Sequence, residues 1–306
     1  MRIGTIAQHA NIGPHGPASI LPNGAIPGRL NNFKFIGWWD FTDNIFSVAP
    51  DTNTDSLQLV TDKGPYSANL AADSLSKGPS YNPNTLGQDG HKYAETFSVA
   101  NNDSMFFTNP ININSRRFTA VVICDLNVES LSQDMQFFRI NGNFNGQIRF
   151  GWERNNELHR LKVARNQTFQ NQQIAFGGEN DQFIEDVVGG DFQHGFNWFT
   201  VVCESDGFIS IYSRGIRISL DHVTENGSIT DPFPNITLGN QGSISYLFDS
   251  RTSDNEPEDS TGNMLDSKIY EVMMFDESLT HQQLYHVDMY VKNKYPSYQF
   301  GRVNGF

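Results

Sequence analysis

Short apolar segments, each bounded by turn-forming residues, recur along most of this chain and limit the folds that it can adopt. Eleven of them follow one another from Phe33 to Phe275, among them FKFIGWW, RFTAVVICDL, FNWFTVVCE and KIYEVMMF. Their aromatic and β-branched residues are typical of strands, and they are too short to be read as helices. Many consecutive strands joined by tight turns predict an all-β sandwich or barrel.

Two dipeptides predict hairpin turns within this series. Asn155-Asn156 separates IRFGWER from ELHRLKV, and Asp206-Gly207 separates FTVVCES from FISIYS. Asn and Asp followed by a small or polar residue favour the two-residue turns that join antiparallel strands. The sequence therefore predicts that each pair of segments forms a β-hairpin.

The last apolar segment is followed by a single predicted helix. Thr280 and Gln283 form a capping-box pattern, with Thr280 at the N-cap, and Pro296 ends the helix. The apolar residues at helical spacing are Leu284, Val287, Val291 and Tyr295. One apolar stripe predicts a helix laid by one face on the edge of the sandwich, against the segment Met273 to Leu279.

The first residues differ in composition from the rest of the chain. No Asp or Glu occurs before Asp40, although the chain contains 34 acidic residues, and prolines and glycines recur throughout this stretch. These residues exclude a long helix or a regular strand. We therefore predict an extended docking arm over residues 1–32, followed by one domain over 33–306. The candidate docking residues are Arg2, Ile3, Ile6, Ile12, Ile20, Leu21, Ile26 and Leu30. Packing of the arm on its own domain is the alternative.

Charge and hydropathy exclude several classes of partner. The formal net charge of −13 argues against nucleic acid, whose recognition needs clustered Lys and Arg. The longest aliphatic run, AVVIC at Ala120 to Cys124, is far shorter than the ~20 residues of a membrane span. The N-terminus has no continuous apolar region of a secretory signal. These features predict synthesis in a cytoplasm, with Cys124 and Cys203 as reduced core thiols.

Several segments, in order, resemble one known family. GWWDFTDNIFSV is similar to its first strand, LQLVTDKGPYSANL to the turn that follows, and FNWFTVVCESDGFISIYSRGIRI to a later hairpin. The ending EVMMFDESL, then a helix and YVKNKY, resembles its C-terminus. The chain thus resembles laminin-G-like domains of the concanavalin A-like lectin and glucanase superfamily, of the kind found in bacteriophage virions. The turn at Asp62-Lys63-Gly64 lacks the serine usual in that family.

The resemblance implies a jelly-roll sandwich and several possible functions. One is a non-enzymatic virion protein, such as a capsid decoration, head fibre or tail-associated adhesin. Such a protein would be a homo-oligomer at the virion surface, held to other virion proteins by its arm and gaining avidity for host glycans from many copies. A glycoside hydrolase or lyase and a secreted cellular lectin are the alternatives.

Candidate sites come from three segments. A glycan site is predicted at Arg149, Trp152, Arg154 and Asn155, where an aromatic residue accompanies hydrogen-bonding groups, although Trp152 also fits a core position. No cofactor is expected to be required. Calcium, which prefers oxygen ligands, has candidate ligands at Asp249, Asp254, Glu256, Glu258 and Asp259. The acids of a hydrolase would be Glu179, Asp181 and Glu185, in a segment that also fits a solvated loop.

Overall fold

The fold is given by a computed structural model of the 306-residue chain. It describes residues 30, 33–43, 46–50, 55–64, 68–72, 78–81, 85–95, 105–108, 111–113, 117–127, 135–141, 147–155, 158–168, 171–177, 194–204, 209–225, 236–238, 246–247 and 268–296.

The described residues form twenty strands followed by one α-helix. The strands are β1 (Phe35–Asp40), β2 (Phe46–Pro50), β3 (Asp55–Val60), β4 (Leu70–Ala72), β5 (Ser80–Tyr81), β6 (Ala94–Glu95), β7 (Met105–Phe107), β8 (Ile111–Ile113), β9 (Phe118–Asn127), β10 (Met135–Asn141), β11 (Gln147–Asn155), β12 (Leu158–Thr168), β13 (Asn171–Gly177), β14 (His194–Cys203), β15 (Ile209–Ser213), β16 (Ile216–Arg217), β17 (Ser219–Glu225), β18 (Ile236–Leu238), β19 (Tyr246–Leu247) and β20 (Lys268–Phe275). The helix, α1, spans His281–Lys294, and a 3₁₀ turn lies at Gln88–Gly90.

One sheet occupies the centre of the molecule and is called here the central sheet. Its strand order is β16-β15-β14-β9-β20-β1, and every pair is antiparallel. The longest pairing joins β9 to β14 over ten residue pairs, from Phe118 opposite Cys203 to Asn127 opposite His194. The strand nearest the C-terminus, β20, thus lies between β9 and the first strand, so both ends of the domain meet in this sheet.

A second, longer sheet packs against one side of the central sheet. Its order is β17-β13-β12-β11-β10-β19-β7-β4-β3-β2, again antiparallel throughout. The short strands β5 and β6 connect β3 to β20, and so join the two sheets at one border. A separate pair is formed by β8 and β18. Two facing antiparallel sheets and one C-terminal helix confirm the predicted all-β sandwich.

An apolar layer fills the space between the two sheets and is called here the inner core. The central sheet contributes alternate residues, because successive strand residues point to opposite faces. In β9 these are Ala120, Val122 and Cys124. The second sheet contributes, among others, Leu57, Leu70, Met105, Phe137, Phe138, Phe150 and Leu161, all completely buried. Cys203 lies in the same layer, and both cysteines are buried free thiols as predicted.

The other face of the central sheet is covered by α1 and forms what is called here the outer cluster. Val121 and Ile123 of β9 belong to it, as does Met273 of β20. The helix contributes Val287, Tyr290 and Val291, with Leu284 partly buried beside them and Tyr295 following the helix. The predicted helix is confirmed. It lies across a sheet face and not along the sandwich edge, because the central sheet has apolar residues on both of its faces.

The start of α1 has the capping geometry that the sequence predicted. The Thr280 hydroxyl accepts the Gln283 N–H at 3.3 Å, and the Thr280 N–H donates to the Gln283 side chain at 2.8 Å. Each bond satisfies a backbone or side-chain group that would lack a partner at a helix start. Lys292 and Lys294 occupy the last turn, where positive charge complements the helix dipole.

Both predicted hairpins are present, with one change in the first. β14 and β15 pair up to Cys203 opposite Ile209. β11 and β12 pair up to Asn155 opposite Leu158, so Asn155 belongs to the strand and not to the turn. Pairing with Leu158 gives the backbone of Asn155 a place in the hydrogen-bond ladder between the two strands, which a turn position would not provide.

Candidate functional site

The four predicted glycan-binding residues all lie in β11. Trp152 is opposite Leu161, which is buried in the inner core, and two residues from Phe150, which is also buried there. By strand alternation, positions 152 and 154 fall on the inner-core face of β11, and positions 149 and 155 on the other face. The register thus divides the four positions between two faces, and glycan binding by them stays a prediction.

The remaining predicted sites lie outside the described residues. These are the calcium candidates Asp249, Asp254, Glu256, Glu258 and Asp259, the hydrolase candidates Glu179, Asp181 and Glu185, and the arm up to residue 29. Within the described ranges, no group of three or more His, Cys, Asp or Glu side chains could hold a metal ion. Leu30 of the predicted arm is described, and it is buried in the outer cluster of its own domain.

A buried polar site lies beneath α1. It consists of Asp40, Lys63, Glu271 and Lys294, and is called here the charge cluster. Lys294 Nζ lies 2.9 Å from Asp40 Oδ2 and 2.8 Å from Glu271 Oε1, while Lys63 Nζ lies 2.7 Å from Asp40 Oδ2. Charged groups so far from water are retained only when they are paired and hydrogen-bonded. Here Lys294 joins the end of the helix to two strands of the central sheet.

Glu271 is the acceptor at the centre of this site. Its carboxylate accepts hydrogen bonds from Trp38 Nε1 at 2.8 Å, Tyr290 Oη at 2.6 Å and Tyr295 Oη at 2.7 Å. Its position depends on a register shift between β20 and β9 after Ile269. This β-bulge places Glu271 on the helix side although its distance from Ile269 along the strand would put it on the inner face. A bulge thus moves a charge out of the inner core and under the helix.

The environment keeps Asp40 ionised. Burial alone would raise the pKa of its carboxyl group, but Lys294 and Lys63, together with hydrogen bonds from Lys63 and Thr42, hold it well below its ordinary value. Burial also disfavours the charged form of Lys294 and alone would lower its pKa. The carboxylates of Asp40 and Glu271 outweigh this effect and raise the pKa of Lys294. Both shifts favour the charged forms, so the pairs persist at neutral pH.

The two tyrosines that bind Glu271 stay protonated. Burial first, and then the nearby negative charge of Glu271, raise the pKa of both Tyr290 and Tyr295 well above the ordinary value. A protonated phenol donates one hydrogen bond, and in each residue that bond goes to Glu271. Since Tyr290 lies on α1 and Tyr295 just after it, these bonds hold the helix end in place.

A second carboxylate, Asp62, organises the turn beside the charge cluster. It accepts the backbone N–H groups of Trp38 at 2.8 Å, Gly64 at 2.6 Å and Ala68 at 2.9 Å. Burial raises its pKa, and these three bonds act in the opposite direction. The Asp62-Lys63-Gly64 turn is therefore tied to β1, which brings Lys63 to Asp40.

The helix is held to β14 by one further polar contact. Trp198 Nε1 donates to Asp288 Oδ1 at 2.7 Å, and Lys292 Nζ lies 2.9 Å from Asp288 Oδ2. The turn residue Gly215 (φ +79°) packs on the same carboxylate, where a Cβ atom would collide with Asp288. Trp38, Trp39 and Trp198 are all buried, as the sequence predicted.

The charge cluster is suited to fastening the helix and not to catalysis. Glycoside hydrolysis needs two carboxyl groups that a sugar can reach from either side of its scissile bond. The side chains of Asp40 and Glu271 are 1% and 0% exposed, and both are bonded to Lys294. Neither carboxylate can contact a sugar in this arrangement.

The charge cluster was not predicted from the sequence, although its four residues lie in segments that resemble the laminin-G-like family. Asp40 lies in GWWD, Lys63 in TDKG, Glu271 in EVMMF and Lys294 in YVKNKY, the segments on which the family resemblance rests. The available signal was the presence of charged residues within or next to these apolar segments. Such residues are buried only when they have partners, so the signal indicates a buried charge network but not which acid meets which lysine.

Comparison with solved structures finds β-sandwich domains of bacterial toxins. The binding domain of Paraclostridial Mosquitocidal Protein 1 matches with a TM-score of 0.51 and 11% sequence identity, over 80% of this chain and 51% of that one. The botulinum neurotoxin serotype C1 binding domain matches with a TM-score of 0.47 and 16% identity, over 80% and 51%. The serotype D ligand binding domain in complex with N-acetylneuraminic acid gives 0.48 and 12%, over 83% and 50%.

This chain spans about half the length of these matched chains. At 11% identity, the similarity to the binding domain of Paraclostridial Mosquitocidal Protein 1 supports the fold alone. No family model matches this sequence, and no curated protein does. Among the described residues, no helix is long and apolar enough to cross a membrane.

Proposed function

We propose that this chain is a non-enzymatic binding module whose β-sandwich recognises a carbohydrate. The observation that carries the non-enzymatic part of the proposal is the closure of the charge cluster, while the carbohydrate part rests on the resemblance of the segments that form it to the concanavalin A-like lectin superfamily. The two carboxylates of the charge cluster, Asp40 and Glu271, are buried and fasten the helix. They are the only pair of carboxylates that Lys294 joins among the described residues. The buried acids of this chain serve packing, and the toxin domain that it resembles is named a binding domain; both favour binding over bond cleavage.

The finer proposal concerns where this module works. We infer that it is displayed on a virion surface, fastened to other virion proteins by residues before the sandwich and present in many copies as a homo-oligomer. Support comes from the resemblance of the four charge-cluster segments to laminin-G-like virion domains and from the acid-free, proline-rich first residues. Many weak sites on one particle give strong attachment through avidity.

Binding to a glycan array tests the general proposal. The full chain, labelled on its N-terminus, is applied to immobilised glycans, and the same glycans are incubated with it in solution and sized by chromatography. We expect retention on a subset of glycans with no shortening of any chain. Shortened glycans would overturn the non-enzymatic proposal, and absence of retention on every glycan would overturn carbohydrate recognition. Tyr285→Ala, which removes a side chain 58% exposed on α1, is the control and should bind like the wild type.

Purification of native particles tests the finer proposal. Mass spectrometry and electron cryomicroscopy should find several ordered copies per particle. A variant that lacks residues 1–29 keeps Leu30, which is buried in the outer cluster, and should fold but not assemble. Assembly of this truncated chain at wild-type occupancy would overturn the role of the arm, and its failure to fold would show that the arm belongs to the domain.

A further inference from the structure

Strand pairing in the second sheet brings two arginines directly opposite each other. Arg139 of β10 pairs with Arg149 of β11, and Tyr246 of β19 pairs with Arg139 on its other side. Lys162 of β12 is opposite Gly151, and so lies diagonally from Arg149, whose direct partner is Ala164. Tyr246, Arg139, Arg149 and Lys162 are called here the basic row.

The basic row falls on the face of the second sheet that points away from the inner core. Phe138 and Phe150, the neighbours of Arg139 and Arg149 in their strands, are completely buried in the inner core. Leu161, the neighbour of Lys162, is buried there as well. Because successive strand residues alternate between faces, the positions of the basic row belong to the opposite face.

The direct pairing of Arg139 with Arg149 places two positive residues opposite each other in the sheet. Like charges directly opposite in an antiparallel pair destabilise it, and their Cβ atoms are ~4.5–5.5 Å apart. The described positions that are diagonal to Arg139 or Arg149 on neighbouring strands are Gln136, Asn141, Gln147, Gly151, Lys162 and Asn166. None of these is acidic, in a chain whose net charge is −13. Two directly paired arginine positions with a lysine position diagonal to one of them form a local concentration of positive charge, which attracts anions.

We propose that the basic row binds a carboxylate-bearing sugar, such as a uronic acid or sialic acid residue of a surface glycan. A guanidinium group offers a planar fork that binds a carboxylate through two parallel hydrogen bonds. Two adjacent arginines and a lysine give charge complementarity, and a tyrosine in the same row offers a ring for a sugar face. Amide-bearing positions around the row, Gln136, Asn141, Gln147 and Asn166, suit the hydroxyl groups of the sugar.

This inference rests on the proposed function and deepens it, since it names the class of glycan. It also selects among the residues predicted from sequence. Arg149 belongs to the basic row, whereas positions 152 and 154 fall on the opposite face of β11. We therefore expect Trp152 to contribute to folding and Arg149 to contribute to binding.

A matched pair of polymers tests the proposal. Binding of the full chain to polygalacturonate and to its fully methyl-esterified form is measured by biolayer interferometry, together with sialyllactose and lactose in competition. The variants are Arg139→Gln, Arg149→Gln and Arg149→Lys. Arg217→Gln, which changes an exposed arginine of β16, is the control for the loss of one positive charge. Circular dichroism and thermal unfolding establish that each variant is folded.

The expected result is preferential binding of a carboxylated ligand by the wild type. Arg139→Gln and Arg149→Gln should each weaken it about ten- to hundred-fold, as expected for loss of a charged hydrogen bond. Arg149→Lys should be intermediate, because it keeps the charge and loses the fork. Arg217→Gln should bind like the wild type, and higher salt should weaken binding.

Three results would overturn the proposal, and they differ in whether carbohydrate recognition by this chain would still hold. Equal binding of esterified and free polymer, unaffected by Arg149→Gln, would leave carbohydrate recognition intact and place it elsewhere. Equal losses from Arg149→Gln and Arg217→Gln would mean attraction by general charge. Absence of binding to these ligands and to every glycan on the array would overturn the proposed function together with this inference.

Discussion

The two faces of the central sheet are buried by different means. The inner core is an apolar layer in which aliphatic and aromatic side chains of two sheets meet. The outer cluster combines apolar and aromatic side chains with the charge cluster, whose bonds have fixed partners and directions. Apolar contacts stabilise many arrangements of similar volume, whereas a buried charge is satisfied in very few. We therefore expect the inner core to supply stability and the charge cluster to specify where the helix lies.

The aromatic rings around the charge cluster reinforce that assignment. Trp38 and Tyr290 meet edge to face with ring centroids 6.0 Å apart, and both donate to Glu271. Lys63 Nζ lies 5.0 Å from the Trp38 ring centroid, at cation–π distance. A buried salt bridge is often no more stable than an apolar replacement, but loss of one partner leaves an uncompensated charge. Substitutions that remove a single partner should therefore separate the two faces most clearly.

Lys294→Met should give the largest effect. It removes the cation between Asp40 and Glu271 while keeping a side chain of similar length, and breaking such a buried pair costs ~3–5 kcal/mol. Urea unfolding followed by fluorescence measures the change. Lys292→Met, on the same helix but with a side chain 31% exposed, is the control and should cost less than ~1 kcal/mol. Equal effects of the two substitutions would contradict a stabilising role for the charge cluster.

Met273→Ala and Met274→Ala compare the two faces through adjacent residues of β20. Both side chains are fully buried, Met273 in the outer cluster and Met274 in the inner core. Each substitution should destabilise the domain by ~2–5 kcal/mol through lost packing. Hydrogen exchange should increase in α1 more for Met273→Ala than for Met274→Ala. Equal exchange in the two variants would mean that the helix and the inner core unfold as one unit.

Acid should weaken the outer cluster through Asp40. Because its folded pKa lies below the ordinary value, Asp40 contributes stability above about pH 4 that is lost as pH falls through the folded pKa. Burial raises the pKa of Asp62 and Asp288, and these groups act in the opposite direction. Asp40→Asn should therefore flatten the decline of the free energy of unfolding between pH 5 and pH 2, measured by urea titration. An unchanged slope would show that Asp40 does not cause this loss of stability in acid.

Thr280→Ala should have the smallest effect of the series. It removes the hydroxyl that accepts the Gln283 N–H, and loss of an N-cap costs ~1 kcal/mol. Thermal unfolding measures the change, with Tyr285→Ala as a control that should be near neutral. Thr280→Ser keeps the hydroxyl and should restore most of the stability. A Thr280→Ser variant as unstable as Thr280→Ala would exclude the capping bond as the cause.

The parts of the fold that sequence could predict are those governed by local pattern. Apolar strand segments, the hairpins and the helix His281–Lys294 each follow from residues close together in the chain. The charge cluster could not be predicted in this way, because Lys294 and Asp40 are 254 residues apart. The bulge that turns Glu271 toward the helix depends on pairing with β9, and so on the sheet as a whole.

Local sequence accounts for the all-β class, the position of the one described helix and the burial of Trp38, Trp39 and Trp198, since periodicity and capping act within a few residues. Strand pairing across the sheets is needed to establish which strand faces are buried, which carboxylate meets which lysine, and that Arg139 pairs directly with Arg149. The physical reason is register. A shift of one residue moves every side chain of a strand to the other face, and register is fixed by neighbours distant in sequence.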